Sequence, residues 1–359
     1  MFKRFSLVLL SLSTANAVVS FGQERASTIK GTQETVSAAQ RLMDALDETQ
    51  REKLVFDFKN DEQRNRWSNL PQGIFKRSGL RLGDLTQPQR DSVWSVLKAA
   101  LSKEGYVKIF QIVESDEALK NESGGGARGG GPGRGGPVGG GPGGGPGFGR
   151  DNYFVSFLGK PSETEPWMIQ FGGHHLGINV TLVGGKGTLA PSHTGAQPAI
   201  FELEGKSVRP LGDEVDKAFA LVNSLDETQR KQAILGFQMR DLVLGPGREG
   251  KMIEPEGIKG DKLTEQQRAK LLDLAGEWTG IMQDSYSSAK MDEMKNNVNE
   301  TWFAWSGPTE AGSAAYFRIH GPTVFIEFAP QRMGGDSMKH IHTILRDPTN
   351  EYGAKWWKK

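Results

Sequence analysis

The chain of 359 residues has no cysteine. Disulfide staples, thiol nucleophiles and thiolate metal sites are excluded together, so a metal ion would have to be held by His, Asp, Glu or Met. An excess of charge is missing as well. With 44 basic against 43 acidic side chains, no global field recruits nucleic acid or an anionic membrane surface. Long apolar runs are also lacking. The run from Phe5 to Leu12 falls well short of the ~20 residues that span a bilayer, so no integral membrane segment is expected after signal removal. Lys3 and Arg4 precede that run and Ala15-Asn16-Ala17 follows it, which reads as a signal peptide over 1–17 and an exported, periplasmic or secreted protein. The composition, 36% hydrophobic and 24% charged, is that of a soluble globular chain.

What is present in excess is repetition. LDETQR occurs at Leu46–Arg51 and again at Leu225–Arg230. Asp47 and Asp226 can each cap a helix while Gln50 and Gln229, three residues on, reach back to the cap amide. Thr86 with Gln89 and Thr264 with Gln267 repeat the logic, and the two pairs of boxes are nearly equally spaced. Aromatic-rich strand patterns follow each helical unit: NYFVSFLGKP then WMIQFGGHHLGINVTLV in the first half, ETWFAWSGPT then YFRIHGPTVFIEF in the second. The expected fold is α+β and internally duplicated, each half a helical unit followed by an antiparallel β-meander, the halves packed about a pseudo-twofold with a ligand site in the seam. The boundaries are a helical unit at 30–122, a Gly/Pro-rich insert at 123–150, a strand region at 151–210, a second helical unit at 211–298 and a second strand region at 299–359. The insert carries Arg128, Arg134 and Arg150 but only Phe148 as an aromatic, so it reads as a solvated linker and not as an RNA-binding segment.

All six histidines fall in the strand regions: His174, His175 and His193, then His320, His340 and His342. Read as one strand of period two, HHLGINVTLV sends His174 to the core with Leu176, Ile178 and Val180, and His175 to the polar face. In MKHIHTIL, the His-x-His spacing puts His340 and His342 on one face, where two imidazoles can chelate a divalent ion, zinc, manganese or copper. Met333 and Met338 just upstream would suit copper. Glu327 and Asp347 are the nearby carboxylates that could serve as ligand or base, and Arg318 and Arg346 the cations that could hold substrate charge. No Walker loop, Gly-x-Ser-x-Gly elbow, His-Glu-x-x-His or Rossmann fingerprint occurs in the right context.

Phe171-Gly172-Gly173-His174-His175-Leu176, Pro191-Ser192-His193-Thr194-Gly195-Ala196-Gln197-Pro198, Tyr316-Phe317-Arg318-Ile319-His320-Gly321-Pro322-Thr323 and His340-Ile341-His342 through Arg346-Asp347-Pro348 resemble the domain-of-unknown-function family 3500 of exported bacterial proteins. The resemblance covers nearly the whole mature chain outside the insert. It implies an architecture and a set of suspect residues but no substrate. The chain departs from the family pattern at Ala329-Pro330-Gln331-Arg332 and Lys339, where an Asp-Asn-Thr-Gln-like run and an Asn are usual, and at His320, where Gln is usual. Three functional classes stay open. The first is a divalent-metal cleft of His174, His175, His340 and His342 acting as a metal-dependent hydrolase on an unidentified small molecule. The others are a non-catalytic ligand- or protein-binding module with structural histidines, and a copper-binding protein.

Overall fold

All four capping boxes form. In α2 (Glu48–Leu54) the Gln50 amide donates to Asp47 at 2.8 Å and the Asp47 amide donates to the Gln50 side chain at 3.1 Å. The same reciprocal bonds open α4 (Gln87–Ala100), α7 (Glu227–Ala233) and α8 (Glu265–Thr279). Each box glutamine then bonds the glutamine of the next box, Gln89 to Gln50 at 2.9 Å and Gln267 to Gln229 at 2.8 Å, so one device starts two helices and ties them together. These contacts come from a computed structural model that describes residues 29–125, 147–332 and 336–358. The expected signal peptide at 1–17 and most of the insert lie outside the described residues.

The remaining elements follow in chain order. A helix α1 covers 29–44, α3 is Asp61–Arg64, α5 Lys103–Gly125, α6 Gly212–Val222, α9 Asp284–Asn296 and α10 Ala354–Trp357. The strands are β1 Val55–Phe56, β2 Leu80–Arg81, β3 Phe154–Leu158, β4 Trp167–Gly173, β5 Leu176–Val183, β6 Lys186–Thr188, β7 Ser192–Ala196, β8 Phe201–Leu203, β9 Lys206–Val208, β10 Ile258–Lys259, β11 Trp302–Ser306, β12 Tyr316–His320, β13 Phe325–Pro330 and β14 Ile341–Arg346. The fold is α+β with a mostly antiparallel sheet. β1, β2 and β10 sit inside the stretches read as helical units; at two residues each they are too short to show a period. Helix α5 runs on into the start of the insert, to Gly125.

One sheet carries both strand regions, in the order β1-β3-β4-β5-β7-β14-β13-β12-β11-β10, with β2 also on β3 and β6 on β5. The halves therefore join edge to edge. Register is shared as well as order: Phe154 opposite Gly172 has its counterpart in Trp302 opposite His320, and Gln170 opposite Asn179 in Arg318 opposite Glu327. In the helical layer Leu101 bridges Met282, with reciprocal bonds from the Ser102 amide to Ile281 O (3.1 Å) and from the Gln283 amide to Ala100 O (3.3 Å).

Strand alternation splits the sheet into two buried faces. Phe157, Ile169, Phe171, Ile178, Val180, Phe303, Trp305, Phe317, Ile326 and Phe328 belong to the main core, which includes Val93, Val96 and Leu97 of α4, Ile109 and Ile112 of α5, and Leu271 and Leu274 of α8. The opposite face is polar, with Ser156, Gln170, Asn179, His193, His342, Glu327, Arg318 and His320 all buried. Partners for it come from two loops, 57–79 between β1 and β2, which includes α3, and 235–257 between α7 and β10. Gln63 donates to Ser156 and Gln170, Arg318 donates to Glu256, and Trp67 packs with Leu244, Phe325 and Ile344 where the loops meet.

At the seam Thr194 Oγ1 and Thr343 Oγ1 are 2.7 Å apart and the Trp278 indole N–H donates to Thr343 Oγ1 at 2.8 Å. Thr343→Val keeps the shape but strands a buried indole donor, so urea unfolding should show a loss of about 1–3 kcal/mol with an unchanged slope. A loss below a few tenths would mean the seam is held by backbone pairing alone.

Candidate metal centre

The strands β4 and β5 are joined by a two-residue turn, His174-His175, with Gly173 paired to Leu176 on either side. This corrects the reading of HHLGINVTLV as one continuous strand: the extended backbone begins at Leu176. His175 has a φ of 61°, a left-handed conformation that costs a non-glycine residue about 1 kcal/mol or more. The two rings lie against each other, centroids 3.6 Å apart, and reach different partners. His174 Nδ1 meets Asp116 Oδ1 of α5 at 2.7 Å, and its carbonyl accepts from the Tyr153 hydroxyl at 2.7 Å. His175 lies on the polar face, 2% exposed.

There it meets the other half. His175 Nε2 is 2.9 Å from His340 Nε2, which is 3.1 Å from His342 Nε2, and the three ligand nitrogens lie within 4.8 Å of one another. All three rings are buried. Register produces this convergence. His342 lies opposite Gly195 of β7, and a Cβ built on Gly195 would stand 2.6 Å from Ile341 O and 3.3 Å from His175 Cβ, so glycine leaves the room that the turn occupies. On the outer side of His342, Nδ1 is 3.4 Å from the Asn69 amide and 3.5 Å from Asp241 Oδ1. The first belongs to the loop 57–79 and the second to 235–257, so both covering loops end at the same imidazole. The Asn69 carbonyl also accepts from the His175 amide at 3.2 Å. Arg77 fixes that loop by donating to Ser68, Leu70 and Gly173 carbonyls at 2.7 Å each.

Electrostatics disfavour the charged forms of His175 and His193. Burial, and then the neighbouring imidazoles, hold His175 well below the usual histidine pKa, and burial followed by His342 does the same to His193. Neither nitrogen of His193 nor Nδ1 of His175 has a hydrogen-bond partner among the described residues. The His193 ring centre is 5.5 Å from that of His342. Partial burial opposes the charge of Asp241, but bonds from His342, the Leu242 amide and Gln331 outweigh it and leave the carboxyl more acidic than usual. Burial lowers His320 to about 4, with Arg318 adding to the effect.

The other residues singled out in the sequence sit apart from the three imidazoles and are engaged elsewhere. Glu327, fully buried, accepts from the Val243 and Leu244 amides at 2.9 and 2.8 Å and from Tyr316 at 2.6 Å. Arg318 lies opposite Glu327 and donates to Glu256 at 2.8 Å. Arg346 donates to the Leu244 and Gly245 carbonyls and to Glu351, and Asp347 takes Lys290 at 2.7 Å. These four hold the second loop and a helix against the sheet. Met338 packs against the main core, and Met333 lies outside the described residues. Sequence reasoning missed Asp241, Asn69, Asp116 and Arg77. Three of them stand in loops or turns without a period, and nothing local distinguishes Asp116 from the other acids of its helix.

A family model described as "Protein of unknown function (DUF3500)" matches residues 28–354. No curated protein and no solved structure shows significant similarity to the chain.

The depressed histidines fix a pH dependence. Their unfolded forms take up protons below about pH 6.5 while the folded forms do not, so stability is lost as pH falls from 6.5 towards the folded pKa values. Urea unfolding in EDTA at pH 7.5, 6.5 and 5.5 should show a loss steepening to about 1.4 kcal/mol per pH unit for each such histidine. Stability that stays flat to pH 5.5 would contradict their neutrality. For the second loop, Glu327→Ala leaves two buried amides and a tyrosine hydroxyl unpaired and should cost about 3 kcal/mol or more in the same assay.

Proposed function

The chain belongs to the DUF3500 family, which brings an architecture and no reaction, and from that premise we propose that it is a divalent-metal protein whose centre is His175, His340 and His342. One observation carries the reading: three Nε2 atoms crowd together at 2.9 and 3.1 Å. An imidazole Nε2 has a single in-plane site, either a proton or a lone pair. His340 Nε2 can therefore donate to only one neighbour, or must share one lone pair between two donors. A cation resolves the conflict, because three lone pairs then point at one charge. Tetrahedral coordination at ~2.0–2.1 Å separates ligand nitrogens by roughly 3.3 Å, a few tenths more than the two pairs that share His340, while all three lie within 4.8 Å.

The donor set of three imidazoles fits zinc best: manganese prefers oxygen ligands, and no thioether joins the set among the described residues to favour copper(I). Asp241 and Asn69 on the outer nitrogen of His342 supply the support that orients a ligating imidazole. Three protein ligands leave a position for water, and the reaction class that suits such an ion is metal-assisted hydrolysis of a small molecule. Burial of all three rings favours a second reading, a closed structural centre that clamps the two covering loops. Glu327, Arg318, Arg346 and Asp347 act in either case as supports of the walls. The matched boxes, shared registers and symmetric strand order support an origin by tandem duplication, and the N-terminal run supports export.

Metal analysis of protein purified without a polyhistidine tag should find about one zinc or manganese per chain, absent in His342→Ala. Asp241→Asn should weaken metal affinity about 10- to 100-fold. Metal-free protein whose melting temperature ignores added zinc, manganese and copper would end the proposal; a visible band with copper alone would replace it by copper binding. Hydrolysis of ester or phosphodiester probes by the loaded protein, abolished by EDTA, separates the enzyme from the structural centre.

A further inference from the structure

Residues of α4, α5, the Arg150 turn and the β8–β9 hairpin line a cleft of about 960 Å³ that contains none of the histidines. Its wall is aromatic: Trp94, Tyr106 and Phe110, with Trp94 edge-on to both neighbours at 6.0 and 5.6 Å. Its rim is polar, with Glu114 held by Arg150 at 2.7 Å, and Glu204 at the tip of the hairpin.

The other half contains the same groove, and the comparison shows which residues the fold itself requires. Counting from the matching boxes, Thr86 and Thr264, Trp94 corresponds to Leu272. Counting from the bridged pair Leu101 and Met282, Phe110 corresponds to Met291 and Glu114 to Lys295. Leu272, Met291 and Lys295 line one groove between α8 and α9. Two helices therefore pack in this way with aliphatic side chains; Trp94 also meets Phe171 of the sheet edge-on at 5.7 Å, whereas the exposed Phe110 and the acid answer no such need. The hairpin adds a second peculiarity. Its turn is Glu204-Gly205, with φ of 51° and 75°, a pair of left-handed positions where Asn-Gly is the stable choice. A glutamate there is strained, and it stands on the cleft.

We propose that this first-half cleft binds a neutral oligosaccharide, its sugar faces on Trp94 and Phe110 and its hydroxyls on Glu114, Arg150 and Glu204. Flat aromatic faces match the C–H faces of a pyranose, and the planar carboxylate and guanidinium groups accept from and donate to neighbouring hydroxyl pairs. The balanced charge of the rim suits an uncharged ligand better than a phosphate or a polycation. No histidine lines the cleft, so the proposal does not rest on the metal centre.

The test is saturation-transfer NMR on the full chain with cellotriose, xylotriose, maltotriose and chitotriose at millimolar concentration. At least one should receive saturation. Trp94→Leu with Phe110→Met installs the residues of the other half and should weaken that binding about tenfold or more in a chain that circular dichroism shows to be still folded. Glu204→Asn relaxes the turn while removing the carboxylate, so it should weaken binding and leave the protein at least as stable. Absence of transfer from all four sugars, or equal binding by both variants, would overturn the proposal.

Discussion

Five residue pairs between β7 and β14, from Ile341 opposite Ala196 to Leu345 opposite Ser192, hold the two halves in one sheet. The histidine centre depends on that register. Side chains alternate between faces, so a slip of one residue would turn His342 from the polar face into the helical core and bring Thr343 out in its place. In the register observed, Thr343 points to the helices, where Trp278 and Thr194 bond it, and His342 comes opposite a glycine that leaves space for the His175 turn. Each half alone holds an incomplete set: His175 belongs to the first, and His340 and His342 to the second.

Much of the helical scaffold was legible because a capping box is local. Asp47 with Gln50, or Thr264 with Gln267, needs only a spacing of three to be recognised, and the structure adds only the bond between consecutive boxes. The placement of His340 beside His342 was legible from alternation, whereas His175 reaches the same face from a left-handed turn. What alternation could not show is where a strand stops. HHLGINVTLV has the period of one strand, yet Gly172 and Gly173 pair back onto Gly177 and Leu176, so His174 becomes a turn residue whose ring finds Asp116. Asp241 and Asn69 were invisible on other grounds: they lie in loops and are fixed by distant backbone anchors.

Those anchors repeat a single solution in both covering loops. In 57–79 the buried Arg77 binds three carbonyls, and in 235–257 Arg346 binds two while Glu327 takes two amides. A loop that must lie on a sheet face has no ladder to satisfy its backbone, and one charged side chain with several donors or acceptors answers that need with little mass. Burial lowers Arg77 to about 10, still far above neutrality, so its grip persists at any physiological pH. Glu327 and Arg346, two of the charged residues singled out in the sequence, serve as such fasteners.

Most protein sheets that bury both faces bury apolar ones, since each unpaired polar group in a dry interior costs about 1–3 kcal/mol. Here one face is polar from Ser156 to Arg318, which is tolerable only where partners are supplied. For Gln170, Asn179, Glu327 and Arg346 they are, by neighbouring strands or by the loops. The face has its clearest deficit at the seam, where His175 and His193 leave ring nitrogens open and three Nε2 atoms press on one another. Folding alone would favour apolar residues at such a point, as it does at Phe325 and Ile344 on the same face. Four imidazoles stand there against that preference, which is the cost the proposed metal centre would offset, and the two loops that converge on His342 would then be its walls.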